Sequence, residues 1–179
     1  MKSLLISPTL SLHRLALFSG LTALAIVGSA WVFQLIGYVP CQVCLWQRVP
    51  YYIAGPLLII GGAMSMRGMI PDTIVRTIIV LGAAIIAVSG LIGIYHSGVE
   101  WGYWPGPESC GVGGVFTASD ADDLFNSLAS TKPPACDEAA GRFLGLSFAG
   151  WNVIAAFGLA AMMLWALKRA ANPQMAGQS

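Results

Sequence analysis

Charge is what this chain has least of. Of its 179 residues, nine are lysine or arginine and eight are aspartate or glutamate, 9% in all, while 56% are hydrophobic. A soluble domain carries roughly 25% charged residues, so this chain cannot cover a water-facing surface with charge, and lipid is its main solvent. A net charge of +1 with no basic cluster argues against nucleic acid as a partner. Histidine is nearly missing too: His13 and His96 are the only two, which leaves few nitrogen ligands for a metal. Cysteine is limited to Cys41, Cys44, Cys110 and Cys136.

What the chain has in quantity is long apolar runs. They span about 15–36, 49–66, 74–95 and 146–167, each close to the roughly 20 residues that cross a hydrocarbon core. Gly28-Ser29-Ala30 resembles a small-residue cleavage site. A signal peptide's apolar region is only about 7 to 15 residues long, however, and the first run exceeds that, so it is expected to stay as an anchor. The expectation is an all-α membrane protein, one domain over 1–179, built as a four-helix transmembrane bundle. Pro50 and Pro56 should kink the second helix, and Gly61, Gly62, Gly82, Gly90 and Gly93 should allow close helix contacts.

Orientation follows from the few basic residues. Lys2, Arg14, Arg67, Arg76, Lys168 and Arg169 fall on one side, and only Arg48, Lys132 and Arg142 on the other. Basic residues favour the cytoplasmic face. Both termini are therefore expected in the cytoplasm, with outer loops at about 37–48 and 97–145. Seven of the eight acidic residues lie in the long outer loop.

That topology, derived without the cysteines, puts all four of them outside the cytoplasm. Disulfides persist in oxidising compartments, so the even count reads as two redox-capable pairs. Cys41-Gln42-Val43-Cys44 is a C-x-x-C, and Cys110 and Cys136 form the natural second pair, with 25 residues between them. Taken alone, the second pair could be a structural staple worth about 3 kcal/mol. A structural zinc site would need four ligands, and a c-type haem would need histidine where Leu45 follows Cys44. Redox chemistry is the better reading.

Local chemistry agrees. Pro40 suits the opening position of a helix, which would put Cys41 and Cys44 in its first turns, where the helix dipole lowers a thiol's pKa. Arg48 lies four residues after Cys44, on the same helical face, and would favour a thiolate there. An arginine near a helix end can also simply snorkel to the headgroups. As an ionisable group at membrane depth, though, it is a functional candidate, suited to a lipophilic carbonyl compound that accepts electrons. Trp31, Trp46, Tyr51 and Tyr52 fit an interfacial aromatic belt.

In the long outer segment, Trp101–Pro107 supplies interfacial aromatics and then turn residues, and Gly111, Gly113 and Gly114 loosen the backbone after Cys110. Leu124, Phe125 and Leu128 repeat at helical spacing beside Asp122 and Asp123. They predict a short amphipathic helix on the membrane surface, broken by Lys132-Pro133-Pro134 before Cys136.

Pro40-Cys41-Gln42-Val43-Cys44-Leu45-Trp46-Gln47-Arg48, four apolar runs and a second cysteine pair in the long outer loop together resemble the DsbB family, disulfide bond formation protein B. The resemblance covers about 14–167. It implies a quinone-dependent thiol oxidoreductase of the bacterial inner membrane that reoxidises DsbA, a periplasmic thioredoxin-like dithiol oxidase. By position, it makes Cys110 the cysteine that forms the mixed disulfide with that partner and Cys136 the one that resolves it. Electrons would then pass through Cys41 to Cys44 beside the quinone. It also makes Arg48 a quinone-site residue, with either ubiquinone or menaquinone as cofactor. His96, at the outer end of the third helix, could assist proton transfer to the quinone or be a plain interfacial histidine.

Two other classes are open. One is a membrane protein whose two disulfides only stabilise outer loops. The other is a carrier delivering reductant outward, which would need a cytoplasm-facing thiol that this topology does not supply.

Overall fold

The computed structural model describes residues 8–107, 136–137, 139 and 141–171. Four helices hold nearly all of them: α1 (Pro8–Leu35), α2 (Gln42–Met66), α3 (Asp72–Glu100) and α4 (Phe148–Ala171). All four are long and apolar enough to cross a membrane. Helices suit this solvent because each segment satisfies its own backbone hydrogen bonds where no water can.

The carbonyls left over at helix ends need partners as well. At the end of α2, Gly68 N–H donates to the Ser65 carbonyl at 2.9 Å and Met69 N–H to that of Met64 at 3.0 Å. At the end of α3, Gly102 and Tyr103 bond Val99 and Gly98 in the same way, at 3.0 and 2.9 Å. In both turns the glycine takes positive φ, 68° and 73°, the left-handed cap that closes such ends.

Neighbours in sequence are neighbours in space. α1 packs mainly on α2, α2 on α3 and α3 on α4, while α1 meets α4 more sparsely. Tyr51, Leu58, Ile79, Ile86, Met163 and Ala156 centre the shared core. Many large apolar residues face outward, among them Phe18, Leu21, Ile53 and Leu91, as expected where the surroundings are acyl chains. α1 and α2 approach closely at Gly20, where a Cβ would lie 2.7 Å from Ile59 Cγ1 and 2.9 Å from the Gly55 carbonyl oxygen.

The helices differ from the apolar runs at the end that carries the cysteines. α2 begins at Gln42, seven residues before the run at 49, and α3 continues to Glu100, five residues beyond 95. The hydropathy of these segments is diluted by Gln47, Arg48, His96 and Glu100, yet Gln47, Arg48 and His96 find hydrogen-bond partners inside the bundle, so the helices persist through them. Pro50 and Pro56 both lie inside α2, and Ser89 Oγ donates to the Gln47 carbonyl at 2.7 Å in the turn that Pro50 opens.

One element was not foreseen. Arg142–Phe143 (β1) and Leu146–Ser147 (β2) pair antiparallel just before α4. Leu144 and Gly145 between them both have positive φ, 52° and 82°, the backbone of a two-residue hairpin turn. The amphipathic helix expected around Leu124–Leu128 and the break at Lys132–Pro134 lie outside the described residues, as does Cys110.

The Gly20–Gly55 approach gives a direct stability test. Gly20→Val should force α1 off α2 and lower the stability of the detergent-solubilised protein by about 1–3 kcal/mol, read as an earlier thermal or denaturant unfolding midpoint. Gly28→Ala, where a Cβ would meet nothing within 4 Å, should leave that midpoint in place.

Candidate functional site

Cys41 is the N-cap of α2: its Sγ accepts the Cys44 backbone N–H at 3.3 Å. Pro40 therefore precedes the cap instead of occupying the first helical turn. The C-x-x-C spacing brings the second sulfur back to the first, and the two Sγ atoms stand 3.0 Å apart as hydrogen-bonded free thiols. Cys41 is only 5% exposed. Even so, its thiol is held well below the ordinary thiol range. The hydrogen bond from the Cys44 thiol is the largest cause, and His96 and the Cys44 backbone N–H add to it against burial. The first sulfur of the motif, not the second, is thus the better thiolate.

His96 reaches this pair from α3. Its Nε2 lies 3.4 Å from Cys41 Sγ and its Nδ1 4.0 Å from Cys44 Sγ. The ring is 2% exposed and sits in a polar network of the kind that must be fully paired at membrane depth. Gln47 Nε2 is 2.8 Å from Nδ1, and Asn152 on α4 donates to Gln47 Oε1 at 2.8 Å. Asn152 also bonds Ser89 and accepts from Tyr51 O–H at 2.8 Å. These contacts tie α2, α3 and α4 together at the level of the cysteines.

Where α1 and α4 meet least, a cavity of about 360 Å³ opens. Its walls are mostly apolar, including Phe33, Tyr38 and Phe148, whose rings pack on one another. Its polar groups are few: Cys44, Gln47, Arg48, Tyr51 and Asn152 carry most of the chemistry. Neither Cys41 nor His96 lines it. Arg48 does not bond Cys44; its guanidinium donates to Gln34 Oε1 at 2.8 Å and to the Ala30 carbonyl at 3.4 Å, with its Cζ 5.7 Å from the centre of the Trp31 ring. α1 therefore fixes Arg48 at the cavity wall, where it faces what the cavity holds.

On its other side Cys41 packs against Cys136. The two belong to one buried apolar cluster with Val43 and Val99, and Cys136, 1% exposed, is disulfide-bonded. The motif has two distinct faces: Cys41 toward a second disulfide, Cys44 toward a lipophilic cavity. The profile described as disulfide bond formation protein DsbB matches residues 13–166. The chain belongs to the DsbB family.

Relatives agree along the same stretch. A disulfide bond formation protein B 1 of Pseudomonas fluorescens is 30% identical over 146 residues, 80% of this chain and 82% of its own length. A second, from another strain of that species, is 31% identical over 150 residues, 80% and 82% of the two chains. A disulfide bond formation protein B of Nitrosomonas eutropha is 25% identical over 151 residues, 81% and 89% of the two. No solved structure matches. As a DsbB family member the chain is a multi-pass membrane protein and a disulfide oxidoreductase.

Among the residues singled out from the sequence, Cys41, Cys44, Cys136, Arg48 and His96 converge on this end of the bundle. Sequence reasoning missed Gln47, Ser89 and Asn152, which look like ordinary polar breaks in apolar runs. The one available signal was their rarity inside helices that cross lipid. It also undervalued the cluster of Cys41, Cys44 and His96, whose sulfur and nitrogen atoms lie within 4.8 Å of one another. Three such donors resemble a zinc set, but a ligating histidine normally gives its other N–H to an acceptor. Here both ring nitrogens are already engaged, by Gln47 and Cys41.

Thiolate ultraviolet absorbance of the reduced protein, taken as the difference between wild type and Cys41→Ala, should persist from neutral pH well into the acid range. An ordinary thiol loses its charge already below about pH 8.5. By linkage, a depressed value stabilises the reduced fold above the unfolded value, and this is lost as pH falls through the folded one. Cys44→Ala removes the principal donor and should move the titration midpoint upward. An unmoved midpoint would exclude that hydrogen bond as the cause.

Proposed function

We propose that this protein oxidises a periplasmic thioredoxin-like dithiol protein of the DsbA type and passes the two electrons to a membrane quinone. The observation that carries the reading is the two-faced C-x-x-C, with Cys41 packed on disulfide-bonded Cys136 and Cys44 on the wall of the apolar cavity. The basic-residue bias supports an orientation with both termini in the cytoplasm and the cysteines in the periplasm of a bacterial inner membrane.

The chemistry is thiolate–disulfide exchange. A partner thiolate attacks Cys110 of a Cys110–Cys136 disulfide, and Cys136 leaves as a thiolate. Cys136 then attacks Cys41 of a Cys41–Cys44 disulfide. The bond to Cys44 breaks and its electron pair stays on Cys44 Sγ at the cavity wall. A partner thiol displaces Cys110, closing the partner's disulfide; Cys110 in turn displaces Cys41 from Cys136, restoring the second pair. Cys41 and Cys44, now reduced, hold two electrons and face the acceptor through one sulfur only. Overall, a dithiol and a quinone become a disulfide and a quinol, so electrons and protons balance.

The cavity fits a quinone headgroup. Its volume and apolar lining are those of a small-molecule site, its aromatic rings offer faces to a flat ring, and Arg48 is a charged donor for a carbonyl oxygen. A bound quinone supplies the two-electron acceptor. The chain's part is to hold it: Arg48, braced by Gln34 and Ala30, orients it, Phe33, Tyr38 and Phe148 exclude water, and Cys44 lies at its edge.

Quinone reduction by the purified protein, followed by absorbance with a reduced thioredoxin-like periplasmic dithiol protein as donor, tests this. Wild type should consume ubiquinone or menaquinone, and Cys44→Ser should not. Arg48→His should raise the quinone KM by about 10- to 100-fold, the size of one charged hydrogen bond. No consumption by wild type, with both quinones and more than one dithiol donor, would leave two structural disulfides as the function of the cysteines.

A further inference from the structure

Which nitrogen of His96 carries the proton is decided by a hydrogen-bond chain with one fixed end. That end is the Ser89 backbone carbonyl, which can only accept. It lies 3.2 Å from one terminal atom of the Asn152 amide, so that atom is the nitrogen Nδ2, and Oδ1 takes the Tyr51 O–H at 2.8 Å. Nδ2 also lies 2.8 Å from the Gln47 amide, which must present its oxygen there. The Gln47 nitrogen is then the atom 2.8 Å from His96 Nδ1. An amide nitrogen donates and does not accept. Nδ1 therefore accepts, and the single proton of a neutral ring sits on Nε2, facing Cys41 Sγ at 3.4 Å.

We propose that Asn152 and Gln47 are positioning residues whose amides hold His96 as the neutral Nε2–H tautomer, aimed at Cys41. The proposal deepens the exchange mechanism above and rests on that reading for its purpose, though not for its test. A protonated ring would point a second N–H at the Gln47 nitrogen, so His96 serves as a fixed hydrogen-bond donor and not as an ionising shuttle. Its role falls in the step that restores the second pair. When Cys110 attacks Cys136 of a Cys41–Cys136 disulfide, a sulfur–sulfur bond forms, the Cys41–Cys136 bond breaks, and the electron pair stays on Cys41 Sγ. Nε2–H meets that charge without giving up the proton.

Glu100, four residues on along α3, lies on the same side of the ring. Its Oε1 is 3.8 Å from Nε2, its side chain is 3% exposed, and its Oε2 has no hydrogen-bond partner among the described residues. At 3.8 Å the carboxylate is too far to take the hydrogen bond, so the N–H stays directed at sulfur. The charged and titratable groups around the ring are Cys41 and Cys44 from α2 and Glu100 from α3, while α4 presents the uncharged Asn152.

Nitrogen-15 NMR of histidine-labelled, reduced, full-length protein in detergent reads the tautomer directly. His13 is the only other histidine, and a His13→Gln spectrum assigns the signals. Nε2–H should be favoured by about 5- to 150-fold over Nδ1–H, the cost of facing two donors together. Gln47→Glu, nearly isosteric, replaces the donor by an acceptor and should move the proton to Nδ1. Asn152→Asp should weaken the preference by removing the donor that orients Gln47. Wild type in the Nδ1–H form, or a Gln47→Glu tautomer unchanged from wild type, overturns the proposal. These spectra need neither quinone nor dithiol partner, so a failure here is separable from a failure of turnover.

Discussion

In the interior of this bundle a polar side chain has no water to fall back on, and the site is built on that constraint. An unpaired buried amide or imidazole costs about 1–3 kcal/mol, so Gln47, Ser89, His96 and Asn152 must satisfy one another or destabilise the fold. They do so by a single closed pattern running from the Ser89 carbonyl to Asn152, Gln47 and His96. Breaking any member leaves its neighbours unpaired. The same bonds that hold α2, α3 and α4 in register thereby set the ring beside Cys41, so packing and chemistry cannot be separated at this level of the bundle.

The asymmetry of the C-x-x-C follows from where α2 begins. A cap sulfur receives the free N–H groups of the first turn, whereas a sulfur three residues later points out from the helix wall. Cys41 gains the backbone bond, the Cys44 thiol and His96, while Cys44 gains a place on the cavity. Arg48, at helical spacing from Cys44, is drawn away by Gln34 and the Ala30 carbonyl on α1. Its charge is held at the cavity wall, and the favoured thiolate is Cys41, three residues before the one that the Cys44–Arg48 spacing alone predicts.

The parts legible in the sequence were those set by one-dimensional patterns: four runs of apolar length, the C-x-x-C, and an arginine where lipid disfavours one. The ends of α2 and α3 were not legible, because a hydropathy window counts Gln47, Arg48, His96 and Glu100 as breaks. For Gln47, Arg48 and His96 that cost is offset by partners 14 to 105 residues away. The β1–β2 hairpin was hidden for a related reason: its turn puts Leu144 at positive φ, a conformation that leucine does not announce. His96 could be placed at the right depth from its run, but its neighbours across the bundle could not.

Cys136 supplies the remaining constraint. Burying a disulfide-bonded cysteine against Cys41 puts both sulfurs in a dry environment, where a thiolate lacking a donor would be strongly disfavoured. A sulfur that must carry charge there needs hydrogen bonds already in place, because reorienting dipoles after the bond breaks would add to the barrier. The helix cap and His96 are such bonds on Cys41, and both are fixed by the fold before any sulfur is attacked. Cys44 has fewer such bonds and lies instead at the wall of the cavity. The two sulfurs of the motif are thereby made unequal: the one against Cys136 is the one whose charge the protein can hold, and the other faces the cavity.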